Sequence, residues 1–249
     1  SKPLERMEEI RMEERMTVLA VGAHPDDIEM LCAGTLAKYA KAGHKVYMCH
    51  AANGNKGHFV IPSDELRLIR REEAKAAAAI IGAESIALDF PDCEIPPTKD
   101  GLDRFIDLIR QTRPDIIITH PPYDYMPDHV MVGKHVFDAS FHATLPYYKT
   151  DIAEYHDTVA PIYYMDTLVG VGFLPQEYVD ITEEYEIKRN ALNCHQSQVT
   201  WLAEHDNIDI FEYIETSARF RGLQCDARYA EGFCRLDVWP RNKTERLLP

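Results

Sequence analysis

The chain predicts an α/β fold built on an open, mostly parallel sheet with helices on both faces, and three observations carry that expectation. Strand-length apolar runs alternate with helix-length stretches as far as residue 168, at spacings that suit strand–helix–strand crossovers. The first run, Met16 to Gly22, lacks the polar alternation of a half-exposed strand and reads as central and parallel. Beyond Val179 the pattern changes to helical and loop-rich sequence. Taken in order, Ile28 to Ala42 is a helix stopped by Gly43, and Lys45 to His50 is a second strand. A glycine-containing loop, Ala51 to Pro62, leads to Ser63 and Asp64, which can cap an alanine-rich helix running to Gly82. Ser85 to Leu88 is the third strand, Leu102 to Gln111 a helix, Asp115 to Thr119 the fourth strand and Val130 to Ala143 the helix behind it. Ile162 to Leu168 is a fifth strand, followed by helices over Glu183 to Ser197 and Ile208 to Phe220. The architecture expected is Rossmann-like, with a helical and loop-rich C-terminal part.

Length and charge narrow the function. A chain of 249 residues with 45% hydrophobic residues suits one globular domain, here read as 1–249 with a charged lead-in over 1–15; no linker or internal repeat divides it. Lys plus Arg number 27 against 41 Asp plus Glu, a formal charge of −14, which repels a nucleic-acid backbone. No apolar stretch approaches the roughly 20 residues of a bilayer span, and the start is unlike a signal peptide, so a cytoplasmic protein without a membrane partner is expected. The six cysteines occur singly, without a Cys-x-x-Cys pair, and read as reduced structural thiols.

With the common strand order 3-2-1-4-5, strands one and four are neighbours, and ligands bind beyond their carboxyl ends. The loops there are Ala23-His24-Pro25-Asp26-Asp27-Ile28-Glu29 and His120 to His129, both dense in metal-ligand side chains. His24 and Asp27, three residues apart at a strand-to-helix junction, share one face, with Cβ atoms about 5–6 Å apart. Two ligands of one tetrahedral ion lie about 3.4 Å from each other, which that face can supply. His129 from the second loop completes two imidazoles and one carboxylate, a set that leaves room for water and substrate. Asp26 can stay off the ion and take a proton from a water that zinc would acidify from 15.7 to about 7. Helix capping by Asp26 or Asp27, with Glu29 favouring the dipole, accounts for the acids but for neither histidine. The first turn, Gly22-Ala-His24, also lacks the Gly-x-Gly-x-x-Gly of a dinucleotide site.

At these residues the sequence resembles the PIG-L/LmbE-like zinc-dependent N-deacetylases. The resemblance rests on Ala23 to Glu29 and extends in order through Leu68 to Glu73, Phe90-Pro91-Asp92, Asp124 to His129, Lys188 to Gln198, and Phe220 to Gly222 with Tyr229 to Glu231. It implies His24, Asp27 and His129 as ligands of Zn2+ or another divalent transition metal, and Asp26 as general base. It also implies substrate contacts from Arg70 and Asp92, an N-acylated small-molecule substrate of the N-acetylglucosamine type, and a homo-oligomer, trimer or hexamer. Without the resemblance, Arg70 reads equally as a solvated charge or a partner of Glu73, and Asp92 as a turn former.

One departure stands out. The family's second motif is normally His-Pro-Asp-His, its first histidine a proton or hydrogen-bond donor; here that position is Met126, which donates neither. Asp128 then caps a helix or orients a ligand histidine. The missing donor leaves three routes: Asp26 acts as base and then acid, one of His120, Tyr125 and His195 substitutes, or the reaction differs, as in a metal-dependent hydratase, another carbon–nitrogen hydrolase or a retired small-molecule-binding domain. The first is favoured. Substrate choice falls to the loops at 51–62, 90–100 and 144–178, where Tyr147 and Tyr148, with Trp201 beyond them, could stack on a sugar or simply pack.

Overall fold

The computed structural model describes residues 15–241; apart from Arg15, the charged lead-in lies outside the described residues. Seven strands form one sheet in the order β3-β2-β1-β4-β5-β7-β6. These are β1 (Thr17–Gly22), β2 (Lys45–Ala52), β3 (Glu84–Phe90), β4 (Ile116–Thr119), β5 (Ile162–Met165), β6 (Glu177–Asp180) and β7 (Ala230–Arg235). The first five are parallel and in the expected order. The C-terminal part, read from sequence as helix and loop, contributes β7 antiparallel to β5, and β6 antiparallel to β7. Neither carries an apolar run: β6 has four residues, none fully buried, and β7 is interrupted by Glu231 and Gly232.

The helices are α1 (Asp27–Leu31), α2 (Ala33–Lys41), α3 (Ser63–Ile81), α4 (Lys99–Thr112), α5 (Pro127–His142), α6 (Tyr185–Asn193), α7 (Gln196–His205) and α8 (Ile210–Leu223). Alternate residues of β1 serve opposite faces, as a central strand requires. Leu19 and Val21 pack with Phe105 and Ile109 of α4 and Val132 and Val136 of α5. Val18 and Ala20 pack with Ile28, Leu36, Ala77, Ile81 and Ala191. Each large side chain so buried contributes about 1.5–3 kcal/mol.

Three expected elements are corrected. The helix over 28–42 is two helices, broken at Cys32 (φ −146°, ψ 10°). There Glu231 accepts hydrogen bonds from the Gly34 amide (3.0 Å), the Thr35 amide (2.7 Å) and the Thr35 hydroxyl (2.6 Å), capping α2 from the far side of the chain. Lys188 Nζ joins this carboxylate (2.6 Å) to the Met30 carbonyl (2.7 Å). The helix over 183–197 likewise divides into α6 and α7 at Cys194 and His195. The fifth strand stops at Met165, because Asp166 is held by Arg221 (2.7 and 3.1 Å) and the chain then turns through a 3-10 segment, Leu168–Gly170, with Val169 at φ 55°. Among the described residues no helix is long and apolar enough to cross a membrane.

Candidate metal centre

Two strand ends place the site. Val21 of β1 lies opposite Thr119 of β4, and the Thr119 hydroxyl donates to the Val21 carbonyl (2.9 Å), so both loops leave the sheet side by side. The first turn is tight: a Cβ on Gly22 would lie 2.8 Å from Ile28 Cγ1. In the second loop Asp124 accepts the Met126 amide (3.1 Å), and Pro127 opens α5 at a position where a missing N–H costs nothing. The helix thus starts three residues before the expected Val130, which brings Asp128 and His129 into its first turn.

His24, Asp27 and His129 each offer a ligand atom, all within 4.8 Å of one another. Asp27 Oδ2 lies 3.4 Å from His24 Nδ1 and 3.2 Å from His129 Nε2. The far nitrogens face carboxylates: His24 Nε2 is 2.9 Å from Asp128 Oδ2, and His129 Nδ1 is 3.1 Å from Asp124 Oδ1. The His24–Asp128 hydrogen bond fixes that ring's orientation and leaves Nδ1 turned inward to coordinate, and Asp124 lies against the outer edge of His129. Both His129 nitrogens are buried without a well-angled hydrogen bond, and a cation would satisfy the inner one, Nε2. The donor set therefore fits a divalent metal with open positions. Sequence reasoning assigned no role to Asp124; its signal was the aspartate two residues before a Met-Pro helix start.

Electrostatics support the same grouping. Against the desolvation that would raise it, His129 and then His24 hold the Asp27 carboxyl well below the usual range. Burial alone would lower the two histidines, but Asp128 and Asp27 push His24 up to about 10, and Asp27 and Asp124 push His129 up to about 9. Asp26 behaves oppositely: burial raises its carboxyl, with Arg70 opposing. Its backbone stands at φ 135°, ψ −26°, and its side chain makes no helix-cap hydrogen bond, so capping is not its role. Arg70 donates to Asp26 Oδ2 (3.1 Å), the Pro25 carbonyl (2.5 Å) and the Gly54 carbonyl (3.3 Å).

The remaining candidates separate. Asp92 is buried, its two oxygens accepting the amides of Gly54 (2.7 Å) and Lys56 (3.0 Å), so its carboxylate holds the loop after β2. His120 stacks on His129 (3.9 Å, 12°), and its Nε2 accepts the Ala23 amide (3.0 Å), which puts its proton on the buried Nδ1. Burial lowers its pKa to about 4, so it stays neutral. Tyr125 is largely exposed at the rim, edge-on to His129 (5.8 Å). His195 is fully buried, with Nε2 2.9 Å from Glu29 Oε1, while Glu29 Oε2 lies 3.3 Å from His50 Nε2. Despite desolvation, Glu29 and then Asp26 raise the His195 pKa. This buried carboxylate between two imidazoles was not foreseen; Glu29 reads locally as an ordinary first-turn acid.

Residues 19–140 match the PIG-L family, described as GlcNAc-PI de-N-acetylase. A diacetylchitobiose deacetylase of Thermococcus kodakarensis is 32% identical over 227 residues, covering 86% of this chain and 81% of its own. A 4-oxalmesaconate hydratase of Pseudomonas putida is 28% identical over 247 residues, covering 90% of each chain. The crystal structure of GalB, a 4-carboxy-2-hydroxymuconate hydratase of Pseudomonas putida, superposes with a TM-score of 0.79 at 26% identity, covering 94% of this chain and all of that one (100%).

Proposed function

The chain belongs to the PIG-L family, and from that premise we propose that it is a zinc-dependent hydrolase removing an acyl group, most simply acetyl, from the amide nitrogen of an amino sugar or related small molecule. The observation that carries this reading is the convergence of His24, Asp27 and His129, each histidine backed by a carboxylate, with Asp26 beside them but directed to Arg70. A divalent cation held by these three would polarise the amide carbonyl and acidify a water.

The chain's own residues do the rest. Asp26, raised by burial, accepts the proton of the attacking water, and Arg70 fixes the direction of its carboxylate. The same carboxyl then returns that proton to the leaving amine, since Met126 cannot donate and His120 keeps its proton on the buried Nδ1. His195, its pKa raised by Glu29 and then by Asp26, is the runner-up donor, and Tyr125 at the rim the third. Asp92 serves substrate indirectly by shaping the loop that carries Gly54, whose carbonyl holds Arg70. The test is Asp26→Asn: metal content should be retained while acetate release from N-acetyl sugars falls about 10²–10⁴-fold. An unchanged rate overturns the role.

Met126 and the hydratase relative together favour one second reading, metal-assisted hydration of a double bond. Two cations near the site weigh against a polyanionic substrate: Arg70 of α3 is spent on Asp26 and two carbonyls, and Lys56 Nζ of the loop after β2 on the Asp92 carbonyl and Glu94. Acetate release from a panel of N-acetyl sugars, against absorbance loss with conjugated unsaturated acids, separates the two. A cytoplasmic setting is supported by the six free cysteines, and a homo-oligomer, trimer or hexamer, by family resemblance.

A further inference from the structure

We propose that a cluster of aromatic rings, His58, Phe59, Trp201 and His205, is a second part of the substrate site. It would bind a flat-faced ring, a further sugar or an aryl group, attached to the unit that bears the acylated nitrogen; the inference rests on the deacylase reading above. The cluster joins the loop leaving β2 to helix α7. Trp201 and His205, one turn apart, are stacked (4.2 Å, 15°). Phe59 stands edge-on to both, at 4.8 Å and 4.6 Å, and His58 lies 4.5 Å from Trp201 on the loop side.

Position ties the rings to the metal centre. The loop's base is fixed by Asp92 and by the Asn55 side chain donating to the Ser63 hydroxyl (2.8 Å). Gly57 lies against Arg70, where a Cβ would sit 3.2 Å from the guanidinium, and Gln198 at the start of α7 donates to the Gly57 carbonyl (3.2 Å). Arg70 in turn touches Asp26. Phe59 is two residues beyond Gly57, at most about 8 Å along the chain. The contacts from Asp26 through Arg70 and Gly57 therefore lead from the metal centre to this cluster, which is the path the second ring would follow.

Exposure and polarity define what fits. Phe59 is 76% exposed although the neighbouring rings hold it in place, so it offers an open face rather than sealing the loop. His58 Nδ1 accepts the Val60 and Ile61 amides (both 3.0 Å), which leaves the proton on Nε2 as a hydrogen-bond donor. His205 is paired with Asp206 (2.9 Å), and the acids Asp64 and Glu65 begin the helix that follows the loop. An apolar face with a donor at its edge and acids around it suits an uncharged, hydroxylated or aryl ring and disfavours an anion.

The chain has two tryptophans, so Trp239→Phe leaves Trp201 as the sole reporter. The metal-loaded variant is titrated with N-acetylglucosamine, with N,N'-diacetylchitobiose and with the phenyl glycoside of N-acetylglucosamine. We expect the second or third ligand to shift Trp201 emission and to bind about three- to tenfold tighter than the single sugar. Whichever does so identifies the ring as sugar or aryl. Phe59→Ala, a surface substitution, should abolish that preference in kcat/KM. Equal binding of all three with unmoved emission, or a preference unchanged in Phe59→Ala, overturns the proposal, whether the rings are idle or covered by a second copy of the chain. Emission shifts without acetate release from any ligand would instead sink the deacylase reading and leave the ring site standing.

Discussion

At His24 and His129 the protonation state couples directly to metal affinity. Their pKa values of about 10 and about 9 lie above the ordinary 6.5, because Asp27, Asp128 and Asp124 outweigh burial. In the metal-free protein this pairing contributes its full stability below about pH 6.5 and loses it as pH rises through about 9 to 10. A cation requires both nitrogens unprotonated, so its binding expels protons and strengthens as pH rises toward 9. Calorimetric titration in buffers of different ionisation heat should count about two protons released per zinc at about pH 7; a pH-independent affinity would contradict the assignment. Met126 carries a second prediction at this scale. Met126→His should raise deacetylation by up to about 10²–10³-fold if the missing donor limits the rate, measured as acetate release. No rise would mean that another group already donates or that the reaction is different. The grouping of His24, Asp27 and His129 was legible in the sequence, since a histidine and an aspartate three apart beside a second histidine-bearing loop have little other use. Asp124 and Glu29 were not, because what each does depends on a ring brought to it by folding.

Among the elements, the α1–α2 break shows where local sequence falls silent. Ile28, Leu31 and Leu36 continue one apolar face across Cys32, so periodicity reads a single helix. The interruption comes from Glu231, about two hundred positions away, whose carboxylate replaces the missing intrahelical partners of Gly34 and Thr35. Glu231→Ala would strand Lys188, itself 2% exposed, as a buried unpaired charge and uncap α2. Removing one member of such a pair costs about 3–5 kcal/mol, so the melting temperature should drop by roughly 10 °C or more. Replacing both residues by Met should restore the part of the loss owed to the buried charge and not the part owed to the lost cap; if Glu231→Ala melts like the parent, the pair does not hold the two helices. The same logic explains β7: its buried glutamate, needed for this cap, is what disguised it as loop.

Across the whole molecule, the parallel core and its strand order were readable because β1, β2 and β4 are apolar on both faces, and the crevice position follows from that order. The outer edge was not, since β6 and β7 draw their stability from pairing to β5 rather than from their own composition. Every proposed ligand and Asp26 lie before residue 166, yet a chain ending at Met165 would lack both Lys188 and Glu231 and leave the edge of β5 open. Such a fragment should neither fold nor retain metal, as circular dichroism and metal analysis of the purified fragment would show. The pairing of Val21 with Thr119 has a last consequence. Because the donors hang from two adjoining strands, an ion gripped between their loops works as a rivet through the middle of the sheet: heat would free the cation and part the strands in one event, and chelation would loosen the centre of the fold before its margins.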